Sequence, residues 1–234
     1  MYYWPILYIF AVMYSLPVFI EHDATVVRQF MEQHPFIVLC GCDADGRPVA
    51  THVPVYLKEQ DNKLYIYGHI KRKTDHHKAF LANPNVLAIF SGPHTYVSAS
   101  WYKNPQQGST WNYITVHAYG IMHLLEDAHA LANILKELTF RFENDTNSPS
   151  LFEKLPEAYV AQMSKAIVGF AVEVTKIDNL FKLSQNREQD DYHTVIQKLE
   201  QQGGDAGIIA AEMKKRAAGL YTEKPVINQS SGHE

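Results

Sequence analysis

Residues 110–120 read TWNYITVHAYG and place aromatic or hydrogen-bonding side chains at every second position. In an extended strand, alternate residues point to opposite faces. One face of this stretch therefore carries Trp111, Tyr113, Thr115, His117 and Tyr119. Such a face is too polar for a routine core and too aromatic for a routine solvated surface. We expect it to meet a flat, partly polar partner, whereas the opposite face, after Asn112, has the composition of ordinary core.

A second stretch, residues 94–102, alternates in the same way. One face of a strand there would carry His94, Tyr96, Ser98, Ser100 and Tyr102. Two strands of this kind would line a cleft or a subunit interface. The alternative interpretation is a solvated barrel wall that happens to contain several tyrosines.

Two further segments concentrate hydrogen-bond donors. GHIKRKTDHH, residues 68–77, places Lys71, Arg72 and Lys73 at a predicted junction of strand and helix, where backbone amides also point at anions. It predicts a phosphate site, with a solvated charge run as the alternative. FKLSQNR, residues 181–187, holds amide, hydroxyl and guanidinium donors between a strand and a helix. It predicts a polar binding site, with a set of helix caps as the alternative.

The hydrophobic periods predict the elements that carry these segments. Asp23 is expected to cap a first helix, and a short helix is expected over residues 73–82. Strands are predicted over residues 36–42, 47–58, 63–69, 86–92, 95–102, 110–125 and 169–177. Pro48 and Pro54 limit backbone donation, which predicts an edge position or a bulge for the second strand. The pattern favours an antiparallel sheet that closes into a small barrel, followed by helices.

Composition excludes several classes of function. The 234 residues have a formal net charge of -4, so no overall positive field attracts nucleic acid. IIAAEMKKR is the one basic helix and no helix-turn-helix pattern is found, which makes direct DNA binding doubtful. We interpret His76 and His77 as surface residues and expect no metal. Cys40 and Cys42 are interpreted as reduced thiols of a cytoplasmic protein.

The two ends of the chain are expected to lie outside the folded domain. Residues 1–20 form an apolar run of about the length that spans a bilayer, but they contain two prolines and no basic residue. We therefore interpret residues 1–12 as an upstream extension before a start at Met13, with a membrane anchor as the alternative. Residues 13–217 are predicted to form a single domain and residues 218–234 a disordered tail.

Four of these stretches together identify a family resemblance. SGPHTYVSASWY, TWNYITVHAYG, IVGFAVEVTKI and FKLSQNR closely resemble the PaiB-type family of FMN-binding negative transcriptional regulators, from about Met13 to about Lys215. The resemblance implies an α+β fold, mainly β, in which a six-stranded antiparallel split β-barrel of the pyridoxamine-phosphate-oxidase-like class carries flanking helices and a helical C-terminal segment. It also implies a homodimer with FMN at the subunit interface.

The resemblance further implies a set of cofactor-binding residues. The family's GH-x-x-R pattern falls on Gly68, His69 and Arg72, and its ATH-x-P pattern ends at Pro54. By similarity, the expected flavin-site residues are Arg72 and Lys73 at the phosphate, Thr51, His52 and His69 beside the ribityl chain or ring, Trp111, Asn112 and His117 on the interface side, and Gln185 and Asn186 closing the site. No catalytic acid or base is identified.

Three functions remain open at this point. The first is an FMN-binding homodimer that regulates expression, with redox sensing as its signal. The second is an FMN-dependent reductase or oxidase whose regulatory effect is indirect, since a bound flavin accepts hydride or electrons. The third is a haem-binding or haem-degrading protein, because split barrels also serve that use and the chain has 12 histidines.

Overall fold

The computed structural model describes residues 16–221. The predicted extension, the expected start at Met13 and residues 222–234 of the predicted tail lie outside the described residues. The described chain divides into two compact units. The first comprises Glu21–Gly92 and Thr115–Leu180, and the second comprises residues 16–20, Pro93–Ile114 and residues 181–221.

Six strands of the described chain form a closed barrel in the order β1-β2-β3-β6-β5-β4. They are β1 Phe36–Cys42, β2 Pro48–Gln60, β3 Lys63–Lys71, β4 Asn85–Val97, β5 Thr110–Leu125 and β6 Ile167–Lys182. The helices are α1 Ala24–Gln33, α2 Asp75–Ala82, α3 Ala128–Glu143, α4 Glu157–Ser164, α5 Gln189–Gln202 and α6 Gly204–Leu220. The predicted α+β class with a six-stranded antiparallel barrel is confirmed.

The faces of β5 follow the predicted alternation. Its buried positions are Asn112, Ile114, Val116, Ala118, Gly120 and Met122. On the other side Trp111 is exposed, while Tyr113, Thr115, His117 and Tyr119 are half-buried. Period-2 patterning therefore predicted this strand correctly, because one of its faces is packed and the other is not.

The prediction of two separate strands over 86–92 and 95–102 was wrong. β4 is continuous from Asn85 to Val97, and residues 99–101 form a 3-10 turn. The Ser98 side chain accepts a hydrogen bond from the Ser100 amide and so caps this turn. A capping serine competes with strand pairing, so Ser98, Ser100 and Tyr102 do not share a strand face with His94 and Tyr96.

The two prolines of β2 do not make it an edge strand. β2 lies between β1 and β3, pairing with β1 over Pro48 to Pro54 and with β3 over Val55 to Gln60. Pro48 is the first residue of the strand and Pro54 stands where the pairing partner changes. Both are positions where a missing backbone N–H is tolerated.

Helices cover parts of each unit. In the first unit, Ile134 and Leu138 of α3 pack against Tyr56 and Tyr67 of the sheet. Asp23 caps α1 as predicted, since its side chain accepts from the Thr25 amide at 2.8 Å. In the second unit, Tyr192 of α5 is fully buried and donates to the Met213 carbonyl of α6 at 2.9 Å. α6 continues to Leu220, three residues into the predicted tail.

None of the helices within residues 16–221 combines the length and the apolar composition that crossing a membrane requires.

Candidate functional site

The junction of β3 and α2 is a tight, hydrogen-bonded turn. Lys73 adopts a left-handed backbone conformation with φ of 64°. Thr74 follows as the N-cap of α2, its hydroxyl accepting from the His77 amide at 3.3 Å and donating to the Lys71 carbonyl at 3.0 Å. Lys71 and Lys73 are exposed on either side of Arg72. The turn therefore presents two exposed cations close to the first amides of a helix, an arrangement suited to anions.

Arg72 is held more firmly than the lysines beside it. Its Nε donates to the Ile167 carbonyl at 2.7 Å, and its Nη1 donates to Glu126 Oε2 at 2.6 Å. The Arg72 amide donates to the Ala166 carbonyl at 2.8 Å. A guanidinium has five N–H donors, so these contacts orient the group and still leave donors for a further anion.

His77 lies against this turn and is buried, with 8% of its surface exposed. Its Nδ1 accepts a hydrogen bond from the Lys73 amide at 3.0 Å, so the neutral ring carries its proton on Nε2. That Nε2 is buried without a hydrogen-bond partner in the described chain. Burial, assisted by the positive charge of Arg72, lowers the pKa of His77 below its ordinary value.

The prediction that His77 is a surface residue was wrong. The buried residues of α2 are His77, Ala79 and Phe80, which shows that the histidine belongs to the packed side of the helix. A helical wheel would have indicated this position. What the wheel does not show is the backbone amide of Lys73 that fixes the tautomer, because that contact depends on a left-handed residue.

His69 is a second histidine of this segment and is half-buried. It lies on the same side of β3 as Tyr67, the side that α3 covers, and its pairing partner in β6 is Gly169. Its Nδ1 is buried and has no hydrogen-bond partner in the described chain. Burial lowers the pKa of this imidazole, so the neutral form is favoured.

Thr51 and His52 lie on opposite faces of β2. Thr51 stands opposite Leu39, which is fully buried in the barrel. Residues directly opposite share a face of a sheet, so Thr51 points toward the interior. His52 points the other way, is exposed, and lies 6.0 Å from the Phe36 ring between ring centroids. Of the two, His52 is on the side of the sheet where His69 lies.

His117 occupies the half-buried outer face of β5. Burial lowers the pKa of its imidazole, and the negative charge of Asp178 opposes that shift in part. Thr115 on the same face donates to the Phe90 carbonyl at 3.0 Å. His117 is therefore the one histidine of the row that the sequence singled out.

In the second unit, Trp111 is the centre of an exposed aromatic patch made of His94, Tyr96 and Trp111. Its ring centroid lies 5.9 Å from that of His94 and 6.0 Å from that of Tyr96. Trp111 is 52% exposed and Tyr96 is 47% exposed. Large aromatic groups exposed together are typical of binding surfaces.

Asn112 does not join Trp111, although both were predicted on the interface side. It is fully buried, its Nδ2 donates to Ser184 Oγ at 3.0 Å, and its Oδ1 accepts from the same hydroxyl at 3.1 Å. The physical reason is strand alternation, which turns neighbouring side chains to opposite faces. The structure therefore gives Asn112 a place in the packing of the second unit.

In the turn after β6, several polar groups form hydrogen bonds within the turn. Gln185 accepts from the Leu183 amide and donates to the Phe181 carbonyl, while Asn186 is exposed. Ser184 is left-handed, with φ of 62°. These contacts favour the alternative interpretation of FKLSQNR as local capping, with Gln185 engaged and Asn186 open to solvent.

Lys182 was not singled out by sequence reasoning. Its ammonium donates to the Thr110 hydroxyl and to the Trp111 carbonyl, the latter at 2.7 Å. Burial, together with the positive charge of Arg187, lowers its pKa. No periodicity marks this lysine, because its burial results from long-range packing between residues that lie far apart in sequence.

The predicted site residues thus form separate groups. In the first unit, His69, Arg72 and Lys73 lie within one strand end and turn, joined by His77, whereas Thr51 faces the barrel interior. In the second unit, Trp111 and Asn186 are exposed while Asn112 and Gln185 are engaged internally. Within residues 16–221, no three His, Cys, Asp or Glu side chains lie together as metal ligands.

The sequence of this chain is similar to a known family and to individual proteins. Residues 13–176 match the family model described as "Putative FMN-binding domain". The protease synthase and sporulation protein PAI 2 of Bacillus subtilis is 35% identical over 188 residues, which covers 80% of this chain and 89% of that protein. An uncharacterized protein of Emericella nidulans is 25% identical over 251 residues, covering 91% of this chain and all of the relative, 100%.

Two of the solved structures with a similar fold come from mycobacteria. A conserved hypothetical protein of Mycobacterium tuberculosis has a TM-score of 0.53 and 16% identity, covering 72% of this chain and 91% of that chain. The FAD and heme binding protein of Mycobacterium smegmatis has a TM-score of 0.51 and 14% identity, covering 69% and 72% respectively. At these identities the likeness shows a shared fold.

Proposed function

The chain belongs to this family of FMN-binding domains, and from that premise we propose that it binds FMN through the segment from His69 to His77. The observation that carries the proposal is the pair of imidazoles in this segment, each with a buried ring nitrogen that lacks a partner among residues 16–221. A buried polar atom left unpaired costs about 1–3 kcal/mol, and such atoms in native proteins call for an explanation such as a bound group.

The residues of the segment suit a phosphorylated ligand. Arg72 is oriented by Ile167 and Glu126 and retains free N–H donors, and Lys73 is exposed beside it. With Nδ1 occupied by a backbone amide, His77 presents Nε2–H as a neutral donor. In our proposal Arg72 and Lys73 bind the phosphate, and His77 donates a further hydrogen bond.

The remaining predicted residues are proposed to contact other parts of the flavin. His52 and His69 lie on the same side of the sheet and are proposed to contact the ribityl chain or the ring. Thr51 faces the barrel interior, so its proposed contact with the flavin requires its side chain to turn away from the interior. Gln185 and Asn186 are proposed to close the site, Asn186 being the member whose side chain is exposed.

The proposed biological unit is a homodimer with redox-sensing regulatory function in the cytoplasm. A bound flavin would supply hydride or electron acceptance, while this chain supplies position and electrostatics. Trp111 and His117 are proposed to face the flavin or the second subunit, supported by the 52% exposure of Trp111. The net charge of -4 favours an indirect effect on gene expression over direct DNA binding.

The deciding experiment is an absorbance spectrum of the purified protein before and after incubation with FMN, followed by dialysis. We expect oxidised-flavin bands that remain with the protein. A protein that ends without such bands after both steps contradicts the proposal. Analytical ultracentrifugation of the same samples tests the dimer, and a single species at the mass of one chain would contradict it.

The regulatory part of the proposal has its own test. A gel-shift series with promoter fragments at low salt is expected to give no retardation, in keeping with an indirect effect. Specific retardation would replace this with direct DNA binding. Bleaching of bound flavin by NADH or NADPH at a catalytic rate would instead favour the oxidoreductase function.

A further inference from the structure

A cavity lies at the carboxyl end of α3, within the first unit. Its volume is about 470 Å³, and α1, β2 and the last turn of α3 with the following loop form its walls. Small-molecule sites typically have volumes of roughly 300–1,000 Å³, so it is large enough for a small organic ligand. None of the residues assigned above to the flavin lines it.

Much of the wall is apolar. Met31, Val55 and Leu57 line the cavity from α1 and β2. Phe140 and Phe142 line it from α3 and are 56% and 51% exposed. Exposed phenylalanines beside a concave surface indicate a site that is completed by an apolar group.

Arg141 supplies positive charge to this cavity. Its guanidinium stands over the Tyr56 ring, 5.2 Å from the ring centroid. Its ion pair with Glu137 is long, 3.5 Å from Nε to Oε2, and about half exposed, so it contributes little. The guanidinium therefore keeps N–H donors that can bind an incoming anion in a bidentate manner.

The carboxylates that line the cavity are already engaged. Glu32 accepts from Arg28 Nε at 3.1 Å, and Asp145 Oδ1 accepts from the Asn147 amide at 2.8 Å. Burial raises the pKa of Tyr56 to about 12, so its hydroxyl stays protonated and can donate. The Arg141 guanidinium and the Tyr56 hydroxyl are thus donors in the lining that an incoming carboxylate can use.

We propose that this cavity binds a small carboxylic acid with an apolar body, its carboxylate on Arg141 and the Tyr56 hydroxyl and its body against Phe140 and Phe142. The site is separate from the β3–α2 turn. Its occupancy therefore does not depend on whether FMN binds there.

The test uses three probes that share one body: 4-phenylbutyrate, 4-phenylbutanol and 4-phenylbutylamine. Binding to the full-length protein is measured by ligand-observed NMR and calorimetry. We expect the acid to bind about tenfold more tightly than the alcohol, as for one charge-assisted contact, and the amine to bind most weakly. Equal binding of all three, tighter binding of the amine, or no binding overturns the proposal.

A variant assigns the effect to its residue. Arg141→Gln is expected to remove the advantage of the acid over the alcohol while leaving the alcohol's affinity within about twofold. Arg47→Gln, at a guanidinium with 77% side-chain exposure away from the cavity, is the matched control. Circular dichroism confirms that each variant is folded. An acid preference that survives Arg141→Gln contradicts the assignment.

Discussion

The guanidinium of Arg72 and the carboxylate of Glu126 form an ion pair in the segment proposed for the flavin phosphate, with 2.6 Å between Nη1 and Oε2. Glu126 is the more exposed partner, at 59% of its side chain against 27% for Arg72. Its negative charge would repel a phosphate that approaches the same guanidinium. Glu126 therefore sets how strongly this site holds an anion.

Neutralising that carboxylate should strengthen FMN binding. Glu126→Gln removes the competing charge but keeps a hydrogen-bond acceptor, so we expect the affinity for FMN to rise roughly threefold to tenfold. Fluorescence quenching of FMN at constant ionic strength measures it. Glu153→Gln, at another exposed ion pair, is the control. A weaker affinity in Glu126→Gln would mean that the ion pair orients Arg72 for binding.

Removing the guanidinium should weaken FMN binding more than removing a lysine elsewhere. Arg72→Ala is expected to cost roughly 10- to 100-fold in affinity, because a hydrogen bond to a charged group contributes about 1.5–3 kcal/mol. Lys103→Ala, which breaks an ion pair to Asp190 in the second unit, is the comparison. Equal affinities in the two variants would remove the phosphate assignment from Arg72.

Stability should fall as the pH is lowered, because three partly or fully buried histidines become protonated. The pKa values of His69, His77 and His117 are each lowered from 6.5, chiefly by burial. The unfolded chain then binds more protons, so this stabilisation is complete above about pH 6.5 and is lost as the pH falls through the lowered values. Urea denaturation between pH 7.5 and 5.0 measures the free energy of unfolding.

His77→Gln tests how much one histidine contributes to the slope of the free energy of unfolding against pH. The amide oxygen can still accept from the Lys73 amide, but the side chain no longer titrates, so the slope should be smaller than in the parent. His129→Gln, at an exposed position, is the matched variant. If the slope is the same in both, His77 does not contribute to the pH dependence.

Asn112 should matter for stability and not for the cofactor. Asn112→Ala leaves the buried Ser184 hydroxyl without its partner, which is expected to cost about 1–3 kcal/mol in the free energy of unfolding. Asn186→Ala, at an exposed residue, should change it by less than about 0.5 kcal/mol. FMN affinity is measured alongside. Unchanged stability with lost FMN affinity would return Asn112 to the binding site.

Gly120 should tolerate no side chain. A Cβ at this position would lie 2.4 Å from the Glu173 carbonyl oxygen of β6. Gly120→Ala must therefore push two strands apart, with an expected cost of about 1–3 kcal/mol. Gly108→Ala is the control, because within residues 16–221 a Cβ there would have no atom within 4 Å beyond its own chain neighbours. Similar melting temperatures for the two variants would show that the two strands can move apart at this point at little cost in stability.

The sequence predicted those elements whose signals are local. Alternation along β5 and the Asp23 cap were correct because each depends on neighbouring residues alone. The end of β4 was missed because Ser98 forms a cap and ends the strand pattern that its neighbours would extend. Local competition of this kind is not visible in a period count.

The candidate site was predictable in part. The basic turn after β3 was found from its charge, but the partial burial of Lys182 and the partners of Asn112 were not. Those depend on contacts across the fold, such as Asn112 with Ser184, 72 residues apart. No residue type or spacing encodes them without the barrel in place.

The change of partner at Pro54 divides β2 into two mechanical parts. Residues 48–54 pair with β1 and residues 55–60 with β3, and Pro54 contributes no amide hydrogen. The Val55 amide donates to the Pro35 carbonyl at 2.9 Å and so belongs with the first part. Separation of β1 from β2 can then stop at Pro54 without opening the hairpin of β2 with β3. Amide protons on the two sides of this residue should accordingly exchange with solvent as two independent groups.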